Sequence, residues 1–194
     1  VWAPGARSVA VRIEGDAGER EHALARDERG VWSGLVHDAH AGSDYRFVLD
    51  DGTALPDPVS RHQPAGVHGA SRVVDPHAFE WTDDGWTGIP ISEYAIYELH
   101  IGTFSDEGTF DGAIRHLAEL AELGVTAVEV MPVAQFPGSR NWGYDGVGLY
   151  AVQDSYGGPD GLRRFVDAAH AHGLAVVLDV VYNHLGPEGN YLGA

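Results

Sequence analysis

Apolar and polar positions along the chain change their rhythm near Pro90. Over residues 1–49 they alternate in short runs, with Val9, Val11 and Ile13 on one phase and Tyr45, Phe47 and Leu49 on another. A period of two marks half-buried strands. Turn residues interrupt the runs at Gly15-Asp16, Arg29-Gly30, Gly42-Ser43 and Asp51-Gly52, so residues 1–55 are expected to form a small antiparallel β-sandwich. Prolines, glycines and histidines follow without periodicity, and Trp81, Trp86 and Pro90 close the stretch. It predicts an ordered linker over 56–90.

Beyond Pro90 strands and helices alternate. Residues 94–100 predict a first strand. Ile114, Leu117, Leu120, Ala121 and Leu123 fall at helical spacing ahead of Gly124, which predicts a helix over 109–123 with a glycine C-cap. Residues 125–130 form a second apolar run, and a long Gly/Pro-bearing loop spans 131–159. A second helix is expected over 160–172, with Leu162, Phe165, Val166 and Ala169 on one face, and Leu174 through Leu178 give a third strand. Strand, helix, strand, helix, strand at these intervals implies right-handed parallel βαβ units. A doubly wound sheet and a (β/α)8 barrel both begin this way. Gly102-Thr103-Phe104-Ser105 lacks the glycine spacing of a dinucleotide loop, which favours the barrel. Residues 91–194 are therefore expected to supply the first part of a TIM barrel, about three of its β/α units.

Charge narrows the partners. Against 29 acidic residues stand 12 basic ones, a formal charge of -17, which repels phosphate backbones and anionic membrane surfaces. Neither nucleic acid nor membrane is an expected partner. The chain has no cysteine, so disulfides, thiol nucleophiles and thiolate metal sites are excluded. With no apolar run near ~18 residues and no basic-then-apolar leader, a cytoplasmic setting is expected. The chain starts without methionine and stops soon after His184. Both ends are expected to be cut, leaving the catalytic machinery incomplete.

The candidate chemistry follows the third strand. Asp179, Asn183 and His184 combine a carboxylate, an amide and an imidazole at the mouth of an apolar run that reads as buried on both faces. Such a set can hydrogen-bond adjacent hydroxyls, as a sugar presents them. The alternative is that Asp179 caps the next segment and His184 is a loop histidine. Upstream, Trp142 and Tyr144 lie in Asn141-Trp142-Gly143-Tyr144-Asp145-Gly146. Tyr144 is the candidate stacking platform for a pyranose, whereas Trp142 is expected to fill the gap beneath the long loop. Structural hydrogen bonds to a neighbouring strand are expected for Glu98 and His100, and a structural ion pair for Glu129, a charge inside an apolar strand. His40, His62, His68 and His77 lack metal-ligand spacing and are expected at the solvated surface. No metal and no cofactor is assigned.

Taken together these motifs resemble the α-amylase superfamily of glycoside hydrolases. Asp179-Val180-Val181-Tyr182-Asn183-His184 resembles its first signature, and Asn141 through Gly146 the segment before it. Val1-Trp2-Ala3-Pro4-Gly5-Ala6 resembles the opening of the β-sandwich in branching, debranching and trehalose-forming members. The stretches at 97–104, 107–110, 131–138 and 185–192 are similar to the trehalose-forming group. The resemblance implies cleavage of the α-1,4 bond beside the terminal trehalosyl unit of malto-oligosyltrehalose. Asp179 and His184 would touch the reacting sugar, Asn183 would support their loop, and Tyr144 would stack on the same ring. Retaining chemistry needs two carboxyl groups about 5 to 5.5 Å apart. In the superfamily these follow the fourth and fifth strands, so no catalytic residue is assigned within this chain and the chain alone is expected to be inactive. A branching or debranching enzyme, and a non-catalytic α-glucan-binding module, are the alternatives.

Overall fold

The computed structural model describes residues 1–15 and 18–193. The N-terminal part contains β1 (Val9–Glu14), β2 (Arg20–Ala23), β3 (Ala25–Arg26), β4 (Trp32–Ser33), β5 (Asp44–Leu49), β6 (Ala54–Leu55) and β7 (Ser71–Arg72). The first sheet has the order β2-β1-β5-β6, with β7 also paired to β5, and every pairing is antiparallel. Val9, Val11 and Ile13 are buried while the residues between them are partly exposed, the alternation a pleated strand imposes. They pair in register with Leu49, Phe47 and Tyr45. β3 and β4 form a separate pair, beside which buried Trp32 donates from Nε1 to the Ala3 carbonyl at 3.0 Å. The expected turns at Gly30, Gly42 and Gly52 have positive φ. Asp16, in the turn expected at Gly15-Asp16, lies outside the described residues.

The stretch 56–90, expected as an ordered linker, contributes β7 to this sheet. Arg72 holds Asp44 through two hydrogen bonds of 2.7 and 2.9 Å. Ser60, Gln63, Val67, Ala70 and Ser71 are buried. Two of them are serines that bond backbone, Ser60 Oγ donating to the His62 carbonyl and Ser71 Oγ accepting from Asp57 N–H. A two-residue strand flanked by satisfied buried hydroxyls has no apolar period to betray it.

The second part runs β8 (Ile96–Leu99), α1 (Ile101–Phe104), α2 (Phe110–Ile114), α3 (Leu117–Leu123), β9 (Ala127–Val130), β10 (Ala134–Gln135), β11 (Gly148–Val152), α4 (Gly158–Ala171) and β12 (Ala175–Leu178). β8 and β12 flank β9, both parallel to it, as in the opening of a (β/α)8 barrel. Phe110, Leu117, Val128, Val130, Phe165 and Ala169 form the core between sheet and helices. The single helix expected over 109–123 is two. The Thr109 hydroxyl accepts from Gly112 N–H at 3.1 Å and starts the first. At His116 the N–H turns to the Ala113 carbonyl three residues back, which ends the α ladder. Gly124, in the left-handed region, closes the second: Val125 N–H reaches the Leu120 carbonyl and Gly124 N–H the Ala121 carbonyl, a Schellman arrangement. The loop expected over 131–159 contains the antiparallel pair β10 and β11, hidden from a pattern search because β10 is two residues long with Gln135 buried.

Among the described residues Glu129 has no ion pair, contrary to expectation: no arginine reaches it, and it stands in register between Glu98 of β8 and Val177 of β12. Val128 and Val130 are the residues buried against the helices, so alternation turns Glu129 to the opposite face, the one a barrel closes upon. Both outer strands are edges among the described residues, and Ile96, Tyr97, Leu178, Val180 and Tyr182 are exposed on or beside them. No helix of the described residues is long and apolar enough to cross a membrane.

Candidate sugar-binding site

Asp179 continues the ladder beyond β12, its N–H donating to the Val130 carbonyl at 3.0 Å. Two residues past Val177, it shares a sheet face with Glu129 and Glu98. The Tyr144 hydroxyl crosses to it and donates to Oδ2 at 2.9 Å. This hydrogen bond, helped by partial burial and by the charges of Asp179, Glu98 and Glu129, holds the Tyr144 phenol above the usual tyrosine range. Three carboxylates therefore share one face of the parallel strands, and the Tyr144 phenol meets Asp179 at their C-terminal end, where α/β barrels carry their chemistry.

The Tyr144 turn is built by Asn141. Its Oδ1 accepts from Gly143 N–H at 2.8 Å and its Nδ2 donates to Asp145 Oδ2 at 2.9 Å, the Asx geometry that replaces backbone pairing in turns. Gly143 has φ +97°, and a Cβ there would lie 2.0 Å from the Pro132 carbonyl oxygen, so only glycine lets the turn settle on the chain after β9. From below, His100 Nε2 donates to the Asn141 carbonyl at 2.7 Å, with the Tyr156 hydroxyl at 3.3 Å from the same oxygen. His100 thus serves this loop rather than a neighbouring strand. Glu98 makes no side-chain hydrogen bond among the described residues.

Trp142 is 74% exposed, contrary to the expectation that it fills the space beneath the loop. That space is taken by Pro132, His100 and the buried Tyr156. Tyr144 is also exposed.

His184 is tied to the same turn. Its Nε2 donates to the Tyr144 carbonyl at 2.8 Å, and Nδ1 lies 3.0 Å from the Asn183 amide. Gly186 N–H donates to the Gly146 carbonyl at 3.0 Å. All four residues singled out in the sequence, Tyr144, Asp179, Asn183 and His184, are therefore linked in one network. Asn141, which builds the platform, stands at the head of the motif the sequence offered, and His100 makes a structural hydrogen bond as expected, though to this loop. Among the described residues Asp179 meets only the Tyr144 hydroxyl, leaving carboxylate lone pairs for hydroxyls of a ligand. No group of three or more His, Asp or Glu among the described residues is arranged to hold a metal ion.

Of the histidines expected at the surface, His62 is partly buried, whereas His68 is exposed as expected but engaged by distant partners. His62 Nε2 stands 2.8 Å from Asp154 Oδ1, and His68 bridges Glu188 and Tyr191. Their partners lie far along the chain, where no local pattern could point. His40 and His77 are exposed.

Comparison with known proteins adds the family. Residues 72–193 match the family model for the α-amylase catalytic domain, and residues 1–78 that for carbohydrate-binding module 48, the isoamylase N-terminal domain. A malto-oligosyltrehalose trehalohydrolase of Saccharolobus solfataricus is 52% identical over 99% of the chain, and one of Arthrobacter ramosus 51% over 99%. A 1,4-alpha-glucan branching enzyme of Xanthomonas oryzae is 37% identical over 99%. The chain spans about a third of the length of these relatives (34%, 33% and 29%). Among solved structures, a Salmonella typhimurium protein assigned provisionally as an α-amylase superposes with TM-score 0.95 at 50% identity, covering 100% of this chain and 32% of that one. A pullulanase of Anoxybacillus bound to maltotetraose gives TM-score 0.82 at 27% identity, covering 95% and 33%.

Proposed function

The chain belongs to the α-amylase family, and on that premise we propose that it is the N-terminal part of a glycoside hydrolase that cleaves the α-1,4 bond beside the terminal trehalosyl unit of malto-oligosyltrehalose, releasing trehalose. The observation that carries this is the meeting of Tyr144, Asp179 and His184 at one strand mouth, in a chain about half identical to trehalohydrolases. A sugar ring seated against Tyr144 turns its hydroxyls toward Asp179, whose carboxylate accepts from them. As the ring flattens toward an oxocarbenium-like state, contacts that tighten in that state raise the rate as well as the affinity. His184 fixes the Tyr144 backbone and Asn183 steadies the His184 ring, so these two keep the platform in place. The resemblance to the superfamily puts the nucleophile and the acid/base carboxyl after the fourth and fifth barrel strands, and the proposal follows it there. The product places the enzyme in trehalose biosynthesis.

A branching enzyme built on the same plan is the second candidate, since one such enzyme also matches along nearly the whole chain at lower identity. Incubating the full-length protein with malto-oligosyltrehalose separates the two: the proposal predicts free trehalose, and new α-1,6 branches without trehalose would overturn it. Residues 1–194 alone are expected to release none.

A further inference from the structure

Residues 60–69 of the N-terminal module reach three separate elements of the parallel part. His62 approaches Asp154 just ahead of α4. Buried Gln63 occupies the space beside Gly148 of β11, where a Cβ would come within 2.8 Å of its Oε1. At the tip, Val67 and His68 meet the segment that follows His184. A Cβ on Gly189, whose φ is +82°, would stand 2.5 Å from buried Val67. His68 is engaged on both sides, with Nδ1 2.6 Å from the Tyr191 hydroxyl and Nε2 3.0 Å from Glu188 Oε1. A carboxylate only accepts, so Nε2 donates to Glu188, while Nδ1 and the Tyr191 hydroxyl share the second hydrogen bond. One imidazole thus sets the position of two side chains.

The other side of that segment grips the sugar site. His184 bonds the Tyr144 carbonyl, Gly186 N–H bonds the Gly146 carbonyl, and a Cβ on Gly186 would lie 2.2 Å from the Asp145 carbonyl oxygen. Residues 180–193 contain no helix or strand, so no ladder of their own holds them. They lie as a strip clamped between the Tyr144 turn and the module's 60–69 loop.

We propose that the 60–69 loop is a working part of the sugar site, with His68 as a positioning residue: by fixing Glu188 and Tyr191 against Val67 it sets where His184 and Tyr144 stand. The importance of that placement for catalysis rests on the function proposed above. Exposed charged contacts contribute little to global stability, so the effect is expected in the placement of the strip and not in the unfolding temperature.

The test uses the full-length protein carrying this chain, with His68→Ala, His68→Gln as the conservative variant, and His77→Ala as an exposed control. Amide hydrogen exchange read by mass spectrometry is expected to speed up in peptides covering 141–147 and 184–191 in His68→Ala, to stay unchanged in β5 and α4, and to recover in His68→Gln. With malto-oligosyltrehalose, kcat/KM is expected to fall about tenfold in His68→Ala, to recover in His68→Gln, and to be unaffected in His77→Ala. Faster exchange confined to 62–69, or wild-type kcat/KM in His68→Ala, would overturn the proposal. If the wild-type protein releases no trehalose, the assigned function fails while exchange at 141–147 still decides whether His68 positions the turn.

Discussion

The Tyr144 hydroxyl stands 2.9 Å from Asp179 Oδ2, joining a turn after β9 to the end of β12 across 35 positions of the chain. Neither residue reaches this place alone. Asp179 is set by the ladder bond from Val130, and Tyr144 by the Asn141 turn and the tie from His184 to its carbonyl. The contact therefore reports on the whole assembly of parallel strands and loops, and removing one atom of it is a direct probe.

Tyr144→Phe in the full-length protein keeps the ring and deletes the hydroxyl. Hydrogen bonds to charged groups contribute about 1.5–3 kcal/mol, so kcat/KM for malto-oligosyltrehalose is expected to fall roughly 10-fold or more. Tyr144→Ala, which removes the platform as well, is expected to fall further. Equal values for both variants in steady-state kinetics would show that the ring does not contribute.

Gly143→Ala forces a Cβ toward the Pro132 carbonyl at a positive φ. The expected cost is about 1–3 kcal/mol, visible as a lowered unfolding temperature and as loss of the Tyr144 contact. Gly138, also at positive φ but with open space around it, is expected to tolerate alanine better.

Phe110 is fully buried against Tyr156 and Phe165, whereas Trp142 is mostly exposed. Phe110→Ala is expected to cost about 3–5 kcal/mol and Trp142→Ala to stay within about 0.5 kcal/mol, by denaturant unfolding. A large loss at Trp142 would mean that it is covered after all.

Burial pushes the Tyr156 phenol up to about 12, against roughly 10 in an unfolded chain. Between those values the unfolded chain has released a proton that the folded chain keeps, so stability falls as pH rises. The contribution is complete below about pH 10 and is lost toward pH 12. Tyr156→Phe is expected to flatten this decline in urea unfolding, leaving the part due to Tyr45, which burial raises further. Parallel declines in the two proteins would contradict the assignment.

Residues 1–194 in isolation present β8 and β12 as open edges with apolar side chains beside them. Such edges pair with other chains, so sedimentation is expected to show association that grows with concentration. A stable monomer with cooperative unfolding would count against this.

What was legible in the sequence was what repeats or clusters. The runs at Val9, Val11 and Ile13 and at Ala175 through Leu178 gave the two parts of the fold, and the polar residues after Leu178 marked the strand mouth. What was hidden depended on distant partners or on exceptions to period. His62 and Asp154 lie 92 positions apart, His68 and Tyr191 123, and nothing near either histidine signals its partner. The break between α2 and α3 occurs within an unbroken helical pattern, because it is made by one backbone bond at His116. Trp142 departs from average burial preferences because other residues already fill the space beneath its loop.

The most direct test of the sugar site is a crystal structure of the full-length protein with malto-oligosyltrehalose, using a variant without hydrolytic activity in which Tyr144, Asp179 and His184 are intact. The account predicts a glucose ring against the face of Tyr144 with a hydroxyl hydrogen-bonded to Asp179. A ligand bound elsewhere, with Tyr144 and Asp179 contacting only each other, would contradict it.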